Sequence, residues 1–203
     1  MPDLTRRVAM SGALFALGGC STLSALSSAS EVLDTYDLTP ASGSKQGRRT
    51  ARTLLVARPQ ATAVLTTDRI LVKPDPATVT YLPDARWGDE LPAVVQSLLI
   101  RSISETGRIG YVGRSDAGPV PDKAMLVRID AFEVQEVPAG GYLVAVDMDL
   151  TILNDRDQTV VASRRFQDTA RIPDDQPATI VGAFQAILDA VLPAIADWAV
   201  VRV

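Results

Sequence analysis

The feature that most constrains the fold of this chain is the alternating segment at residues 142–153. Apolar side chains occupy every second position there, with small or polar residues between them: Val144, Val146, Met148, Leu150 and Ile152. A period of two places successive side chains on opposite faces of a strand, so one face is buried and the other is wet. Turn-forming residues flank the segment at 138–141 and 154–157. The pattern predicts an antiparallel meander that also includes strands over 124–134 and 159–172.

Shorter strand-like runs precede this meander, at residues 53–56, 69–73, 78–82 and 108–112. The first three are bounded by prolines, which cannot donate to a strand ladder. Between residues 87 and 107 the period becomes helical, with Trp87 and Leu91 on one apolar stripe and Gly107 just past its end.

A second helix is predicted to begin near Asp174 or Asp175, with Pro177 in its first turn, and Pro193 should kink or divide it. The order strands, helix, strands, helix predicts an α+β fold: one domain with a mostly antiparallel sheet and two main helices packed on one face.

The N-terminal segment is typical of an export signal. Arg6 and Arg7 are followed by an apolar stretch over 8–18, which is too short to span a bilayer. The sequence Leu17-Gly18-Gly19-Cys20 resembles the lipobox of bacterial lipoproteins, and Cys20 is the only cysteine in the chain. We predict a signal peptide over 1–19 and lipidation of Cys20, so that acyl chains would hold the protein to a membrane without a transmembrane helix. The alternative is a cysteine that is simply a small apolar residue of an N-terminal helix.

Residues 20–52 are rich in small and polar side chains, and we predict that they form a lipidated flexible tether ahead of a folded domain over 53–203. Arg48, Arg49 and Arg52 lie in this stretch, where they could touch anionic lipid phosphates. A solvated linker is an equally good interpretation.

The composition argues against several kinds of catalytic and binding site. The chain has 203 residues, no histidine and a net charge of -4, which argues against Ser-His-Asp catalysis, imidazole-ligated zinc and nucleic-acid binding. Asp147 and Asp149 share a strand face and lie near Asp155 and Asp157, but their spacing matches no EF-hand, so a solvated face is favoured over a calcium site. We expect no metal, no cofactor and no enzymatic activity.

Three glycines and two tryptophans admit two interpretations each. Gly107, Gly110 and Gly113 follow a helix instead of opening one, so they are expected to end that helix and enter a strand rather than to bind phosphate. Trp87 and Trp198, both expected on helices, are expected to pack in the core, although a helix pair could instead line an apolar groove for a partner or an acyl chain.

Several segments of the chain stand in a recognisable order. They are residues 53–59 (TLLVARP), residues 68–70 (DRI) and residues 79–87 (VTYLPDARW), the last running into Leu91-Pro92 and a helix. Together with the lipobox and the Tyr36-Asp37-Leu38 segment that follows it, this order resembles the ABC-type transport auxiliary lipoprotein family, the PqiC-like lipoproteins.

The resemblance implies a role. Members of that family are non-enzymatic outer-membrane lipoproteins that face the periplasm and are encoded with an MCE-domain protein, an MlaE-like permease and an ATPase. The chain is therefore expected to dock an MCE-type conduit for phospholipid or another hydrophobic substrate to the outer membrane. Its own oligomeric state is left open, and a homo-oligomer is compatible with the sequence.

The block that contains Arg69, Tyr81, Arg86 and Trp87 is the candidate partner contact, provided that these residues reach the surface. The same block could instead be a structural turn that seats the first helix. The main alternative function is an outer-membrane lipoprotein that regulates or assembles an envelope machine, such as a cell-wall synthase, without handling lipid.

Overall fold

The computed structural model describes residues 33–116 and 118–203. The predicted signal peptide, Cys20 and the first part of the predicted tether lie outside the described residues. Nine strands and two helices follow in chain order: β1 (Asp34–Tyr36), β2 (Thr50–Val56), β3 (Gln60–Ala61), β4 (Arg69–Lys73), β5 (Thr80–Trp87), α1 (Leu91–Ser104), β6 (Ile109–Arg114), β7 (Lys123–Glu136), β8 (Tyr142–Asn154), β9 (Val160–Ile172) and α2 (Pro177–Val200).

The long strand β7 organises the sheet. Along one edge it pairs with β8 over its whole length, and β8 pairs with β9, so the predicted antiparallel meander is confirmed. Along its other edge β7 pairs in succession with β2, β3 and β4, all of them parallel to it. Beyond this edge, β6 pairs with β2, β5 pairs with β4, and β1 pairs with β5. We call the strands on these two edges of β7 the two branches of the sheet. Among the described strands, the branches are connected only through β7.

The prediction of a mostly antiparallel sheet is therefore wrong, because the nine-stranded sheet is mixed. Only β4–β5, β7–β8 and β8–β9 are antiparallel. Hairpin turns leave a local sequence signal, whereas a parallel pair joins segments that are distant in the chain and leaves none. The α+β class and the single folded domain are as predicted, although that domain spans Leu33–Val203.

Both helices bury apolar side chains in the same cluster as the sheet. α1 contacts β2 and β6, α2 contacts β8 and β9, and the helices contact one another. The alternating residues of β8, among them Val146, Met148 and Leu150, are fully buried in that cluster. α2 has the length and mean hydropathy of a membrane-spanning helix. In this fold, however, half of its residues are core residues, including Phe184 and Trp198.

The first helix begins later than predicted. Trp87 is the last residue of β5, and α1 starts at Leu91 with proline in its first turn. Trp87 fits the helical stripe only because it lies four residues before Leu91, whereas the intervening Gly88, Asp89 and Glu90 form the connection. At the other end, Gly107 follows the helix with a φ of 63°, as its predicted position requires. α2 continues through Pro193 without being divided.

The predicted tether is in large part folded. Leu38 is 1% exposed in the core cluster, and the segment after it crosses both helices. Its backbone N–H groups donate to side chains of the helices: Thr39 to Gln185 Oε1 (2.9 Å), Ala41 to Ser102 Oγ (3.2 Å) and Ser44 to Asp197 Oδ1 (2.7 Å). We call residues 37–48 the strap. The folded unit begins at Leu33 and not at Thr53, because small polar residues can pack closely where they lie flat on a helix pair.

Candidate partner-binding face

Most of the candidate residues lie on the side of the sheet that faces away from the core residues Trp87 and Phe132. We call it the outer face and define it by two groups: Arg69, Tyr81 and Arg86 on β4 and β5, and the charged residues Arg128, Asp130, Asp147, Asp149 and Arg165 on β7, β8 and β9. Arg69 and Arg86 are register partners, and so are Leu71 and Tyr81. Paired residues of neighbouring strands point to the same side of a sheet.

The three predicted contact residues on β4 and β5 form one cluster. The Arg69 guanidinium lies 5.9 Å from the centre of the Tyr81 ring, and its Nη2 donates to the Leu82 carbonyl oxygen over 3.1 Å. The Tyr81 hydroxyl donates to the carbonyl oxygen of Val64 over 3.2 Å. Arg69 and Tyr81 are half-buried, so this cluster presents their edges to solvent.

Arg86 is the most accessible member of the block. Its side chain is 46% exposed, its Nε donates to the Thr35 hydroxyl over 3.1 Å, and its Nη1 lies 3.7 Å from Asp68 Oδ2. These contacts hold the guanidinium at the junction of β1, β4 and β5. The remaining N–H groups of its planar fork can bind a carboxylate of another protein.

Trp87 does not reach the surface. It is the next residue after Arg86 on the same strand, so its side chain points to the opposite face of the sheet. It is 2% exposed, and its ring packs edge-on against Phe132 (5.9 Å between centroids) and Phe184 (5.4 Å), which stack on each other at 4.5 Å. The core interpretation of Trp87 is confirmed, although the residue lies on a strand, and it does not meet the surface condition for a partner contact.

A backbone irregularity in β5 sets the spacing of this block. Between the Arg69–Arg86 and Leu71–Tyr81 pairs the register shifts, and Asp84 adopts a φ of 57°. A left-handed residue in a bulge redirects the side chains that follow it. The sequence signal was Pro83-Asp84, because aspartate is one of the few residues that accept this conformation.

A buried ion pair, which the sequence analysis missed, lies beside the block. Glu133 on β7 is 4% exposed and lies 2.9 Å from Lys73 Nζ on β4. Gln135 Nε2 donates to the other carboxylate oxygen over 2.9 Å. The pair lies at the point where β4 joins β7, so it holds the branch that carries Arg69 and Arg86. Lys73 and Glu133 are distant in sequence, and only the parallel pairing of β4 with β7 reveals their contact.

The charged residues of the meander neutralise one another. Arg128 donates two hydrogen bonds to Asp130 (2.7 and 3.0 Å) and lies 3.7 Å from Asp149, while Arg165 donates to both carboxylate oxygens of Asp147. The Arg128 hydrogen bonds lower the pKa of Asp130, and Asp147 raises the pKa of Arg165 by the same kind of contact. These aspartates form a wet strand face, as favoured above, and within residues 33–116 and 118–203 no cluster of potential ligands fits a metal ion.

Two further sequence interpretations are tested by the structure. Gly110 and Gly113 lie in β6, so the glycines after α1 end a helix and enter a strand as predicted. Trp198 is buried and packs edge-on against Phe166 at 5.6 Å between ring centroids, which confirms its core interpretation.

These observations describe a sheet face with paired charges, a half-exposed arginine and a tyrosine edge, carried on a folded α+β unit. Such a face is suited to binding another protein. Residues 36–196 match a family of transport lipoproteins, and the chain belongs to it: the family is described as "ABC-type transport auxiliary lipoprotein component". This is a family of membrane-anchored envelope proteins associated with ABC-type transport systems.

Known proteins support the fold. An uncharacterised protein of Bradyrhizobium diazoefficiens is 30% identical over an alignment of 175 residues that covers 83% of this chain and 45% of that protein. The chain therefore spans about half the length of this relative. A crystal structure of a Xanthomonas campestris protein superimposes with a TM-score of 0.75 at 22% identity, covering 83% of this chain and 96% of that one. A hypothetical protein of Chlamydia trachomatis gives a TM-score of 0.50 at 7% identity, covering 77% of this chain and 98% of that one.

Proposed function

We propose that the protein is a non-enzymatic, outer-membrane lipoprotein that docks the MCE-domain protein of an ABC-type lipid transporter. The observation that carries this proposal is the match of residues 36–196 to a transport auxiliary lipoprotein family. The permease and the ATPase of such a system would be separate subunits. The transported molecule would be a phospholipid or another hydrophobic substrate.

The parts of the chain have distinct roles in this proposal. Cys20, at the end of the lipobox, would carry the acyl anchor and hold the protein to the periplasmic side of the outer membrane. The folded unit would present its outer face to the partner. The meander arginines Arg128 and Arg165 donate hydrogen bonds to aspartates, whereas Arg86 approaches its aspartate, Asp68, only to 3.7 Å. The specific contact is therefore assigned to the half-exposed Arg86 with the edges of Arg69 and Tyr81.

An interface of this kind depends on a few central residues. Arginine and tyrosine are enriched among the residues that contribute most to protein–protein affinity, and the polar residues around them exclude water. Reversal of the charge of Arg86 should therefore weaken capture of the partner far more than reversal at an arginine elsewhere on the surface.

The experiment is capture of an MCE-domain protein from the same organism by the full-length, acylated protein in detergent. We expect the wild type to retain the MCE protein, Arg86→Glu to lose at least tenfold in affinity, and the control Arg101→Glu, on the exposed side of α1, to bind as the wild type does. Failure of the wild type to retain the MCE protein would overturn the proposed function. Retention of a penicillin-binding protein instead would support the cell-wall alternative.

The anchor is tested separately by Cys20→Ser. The variant should not be acylated, and its precursor should be released from the membrane fraction on washing, because the acyl chains supply the membrane affinity. If Cys20→Ser fractionates with membranes as the wild type does, the assignment of the anchor to Cys20 is wrong.

A further inference from the structure

A cavity of about 290 Å³ lies where the start of β2, the start of β6 and the C-terminal end of α2 meet. We call it the arginine pocket. It is lined by Arg48, Thr50, Arg52, Arg108, Val200, Val201, Arg202 and Val203. Four of the eight lining residues are arginines, which come from three separate parts of the chain.

Arg108 is the innermost of these arginines. Its side chain is only 9% exposed, its Nε donates to the Arg48 carbonyl oxygen over 3.2 Å, and its Nη1 lies 4.0 Å from Asp197 Oδ1, beyond hydrogen-bond distance. Gly47 lies against this guanidinium with a φ of 115°, and a Cβ atom there would come within 2.7 Å of Arg108 Nη2. The backbone therefore lies closely around a buried guanidinium whose carboxylate partner, the half-exposed Asp197, stands at the limit of ion-pair distance and accepts no hydrogen bond from it.

Two of the other arginines donate to main-chain oxygen atoms at the C-terminal end of α2. Arg52 Nη1 donates to the Val203 carbonyl oxygen over 2.6 Å, and Arg202 Nη1 donates to the Trp198 carbonyl oxygen over 2.9 Å. The Arg202 guanidinium also lies 5.2 Å from the centre of the Trp198 ring. No acidic side chain is among the eight residues that line the pocket, and of its four arginines only Arg108 is buried. Buried charges that are not neutralised by protein groups favour an ion of the opposite sign.

Exposed apolar residues lie around the same end of the molecule. Val201, in the pocket wall, is 67% exposed, and Val120, which shares a neighbouring cavity with Arg52, is 88% exposed. Guanidinium groups bind phosphate oxygens through two parallel N–H donors, and basic clusters with exposed apolar side chains are typical of surfaces that contact lipid headgroups.

We propose that the arginine pocket binds a phosphate group, carried by a phospholipid headgroup or by a soluble phosphate compound. Arg108 supplies the buried charge, and Arg48, Arg52 and Arg202 close around the phosphate oxygens from the rim. The pocket is formed without the outer face, so this inference goes beyond the proposed function and is tested without the MCE protein.

The test uses the full-length acylated protein in detergent and its intrinsic tryptophan fluorescence, to which Trp198, under the Arg202 guanidinium, contributes together with the buried Trp87. One arm titrates inorganic phosphate, and the other titrates short-chain phosphatidylglycerol or phosphatidylcholine added to the micelles. Saturable binding of phosphatidylglycerol with weak or absent binding of inorganic phosphate identifies a headgroup, and the reverse identifies a soluble phosphate. Absence of saturable binding in both arms overturns the proposal.

Substitutions of the lining arginines test whether the ligand binds in the arginine pocket. Arg108→Gln should weaken binding roughly tenfold or more, since loss of a hydrogen bond from a charged group costs about one decade of affinity. Because Arg108 is buried and its variant can fail to fold, Arg52→Gln combined with Arg202→Gln provides a second test at more accessible positions. Arg171→Gln, an equal charge change at an exposed position at the far end of β9, should bind as the wild type does. If Arg171→Gln weakens binding as much as the pocket variants, the pocket is not the site.

Discussion

Trp87 shows what a single residue contributes to this fold. Its ring joins β5 to β7 and α2 through Phe132 and Phe184, and the three rings lie within 4.5–5.9 Å of one another. Aromatic side chains in such clusters contribute both buried area and specific ring geometry.

Trp87→Ala should lower the free energy of unfolding by about 3–5 kcal/mol, because it removes a large buried ring and leaves a cavity. Urea denaturation followed by circular dichroism measures the change. Arg86→Ala, one position earlier on the outer face, is the matched control and should change stability by less than about 0.5 kcal/mol. Equal effects of the two substitutions would contradict the assignment of Trp87 to the core.

At the scale of elements, the position of the strap depends on how closely its backbone can approach α2. A Cβ atom at Gly43 would come within 2.7 Å of Asp197 Oδ1 and 2.9 Å of Ala196 Cβ on α2. The strap has the composition of a linker, and at Gly43 the small residue is required because a side chain there would collide with α2.

Gly43→Ala should therefore displace the strap and lower stability by about 1–3 kcal/mol, as overpacking does. Gly182→Ala, on the exposed side of α2 with open space around it, should instead raise stability by about 0.5–1 kcal/mol through helix propensity. Limited trypsin digestion at Lys45, Arg48 and Arg49 should become faster only in Gly43→Ala. Unchanged cleavage in that variant would mean that the strap is not held by this contact.

The Lys73–Glu133 pair joins the two branches of the sheet at the element scale. Lys73→Met should lower the free energy of unfolding by about 1–3 kcal/mol, because it leaves a buried carboxylate with only Gln135 as a partner. Lys73→Met combined with Glu133→Gln should recover part of that loss, since no buried charge remains. A double variant no more stable than Lys73→Met would show that the pair is not coupled.

At the scale of the whole molecule, the titration behaviour follows from composition and from the exposed carboxylates. The chain has no histidine. The pKa values of Asp75, Asp130 and Asp157 are lowered from the ordinary 3.8 by hydrogen bonds from Thr78, Arg128 and Thr159 respectively. A lowered folded-state pKa means that the folded protein binds fewer protons than the unfolded chain near that pH.

We therefore expect the melting temperature to stay nearly constant between about pH 5.5 and 8 and to fall below about pH 4. The stabilisation from these carboxylates is fully present above their unfolded pKa and is lost as the pH falls through the lowered folded values. Differential scanning calorimetry across this range measures the effect. A steep change in the melting temperature between about pH 6 and 8 would require a group that titrates in that range and would contradict this expectation.

The sequence predicted the parts of the molecule that depend on local pattern. The alternation at Val144–Ile152 and its flanking turns gave the meander, and Gly107 marked the end of α1. It could not reveal the parallel partners of β7, since Leu54 and Lys123 pair without any local signal. For the same reason the sequence indicated Arg48 and Arg52 as contacts for lipid phosphates but did not indicate Arg108 and Arg202. Only the tertiary fold brings these two arginines close to the others.

The strap determines how the folded unit would respond to tension. A lipoprotein that is anchored at its N-terminus and bound to a partner is pulled between two points, and the force enters the folded unit at Leu33. The next structures along the chain are the pairing of β1 with β5, the buried Leu38 and the hydrogen bonds of the strap to Gln185, Ser102 and Asp197. In an anchored molecule these contacts would have to break in turn before β2 is pulled directly, so a segment with the composition of a linker would bear the force ahead of β2.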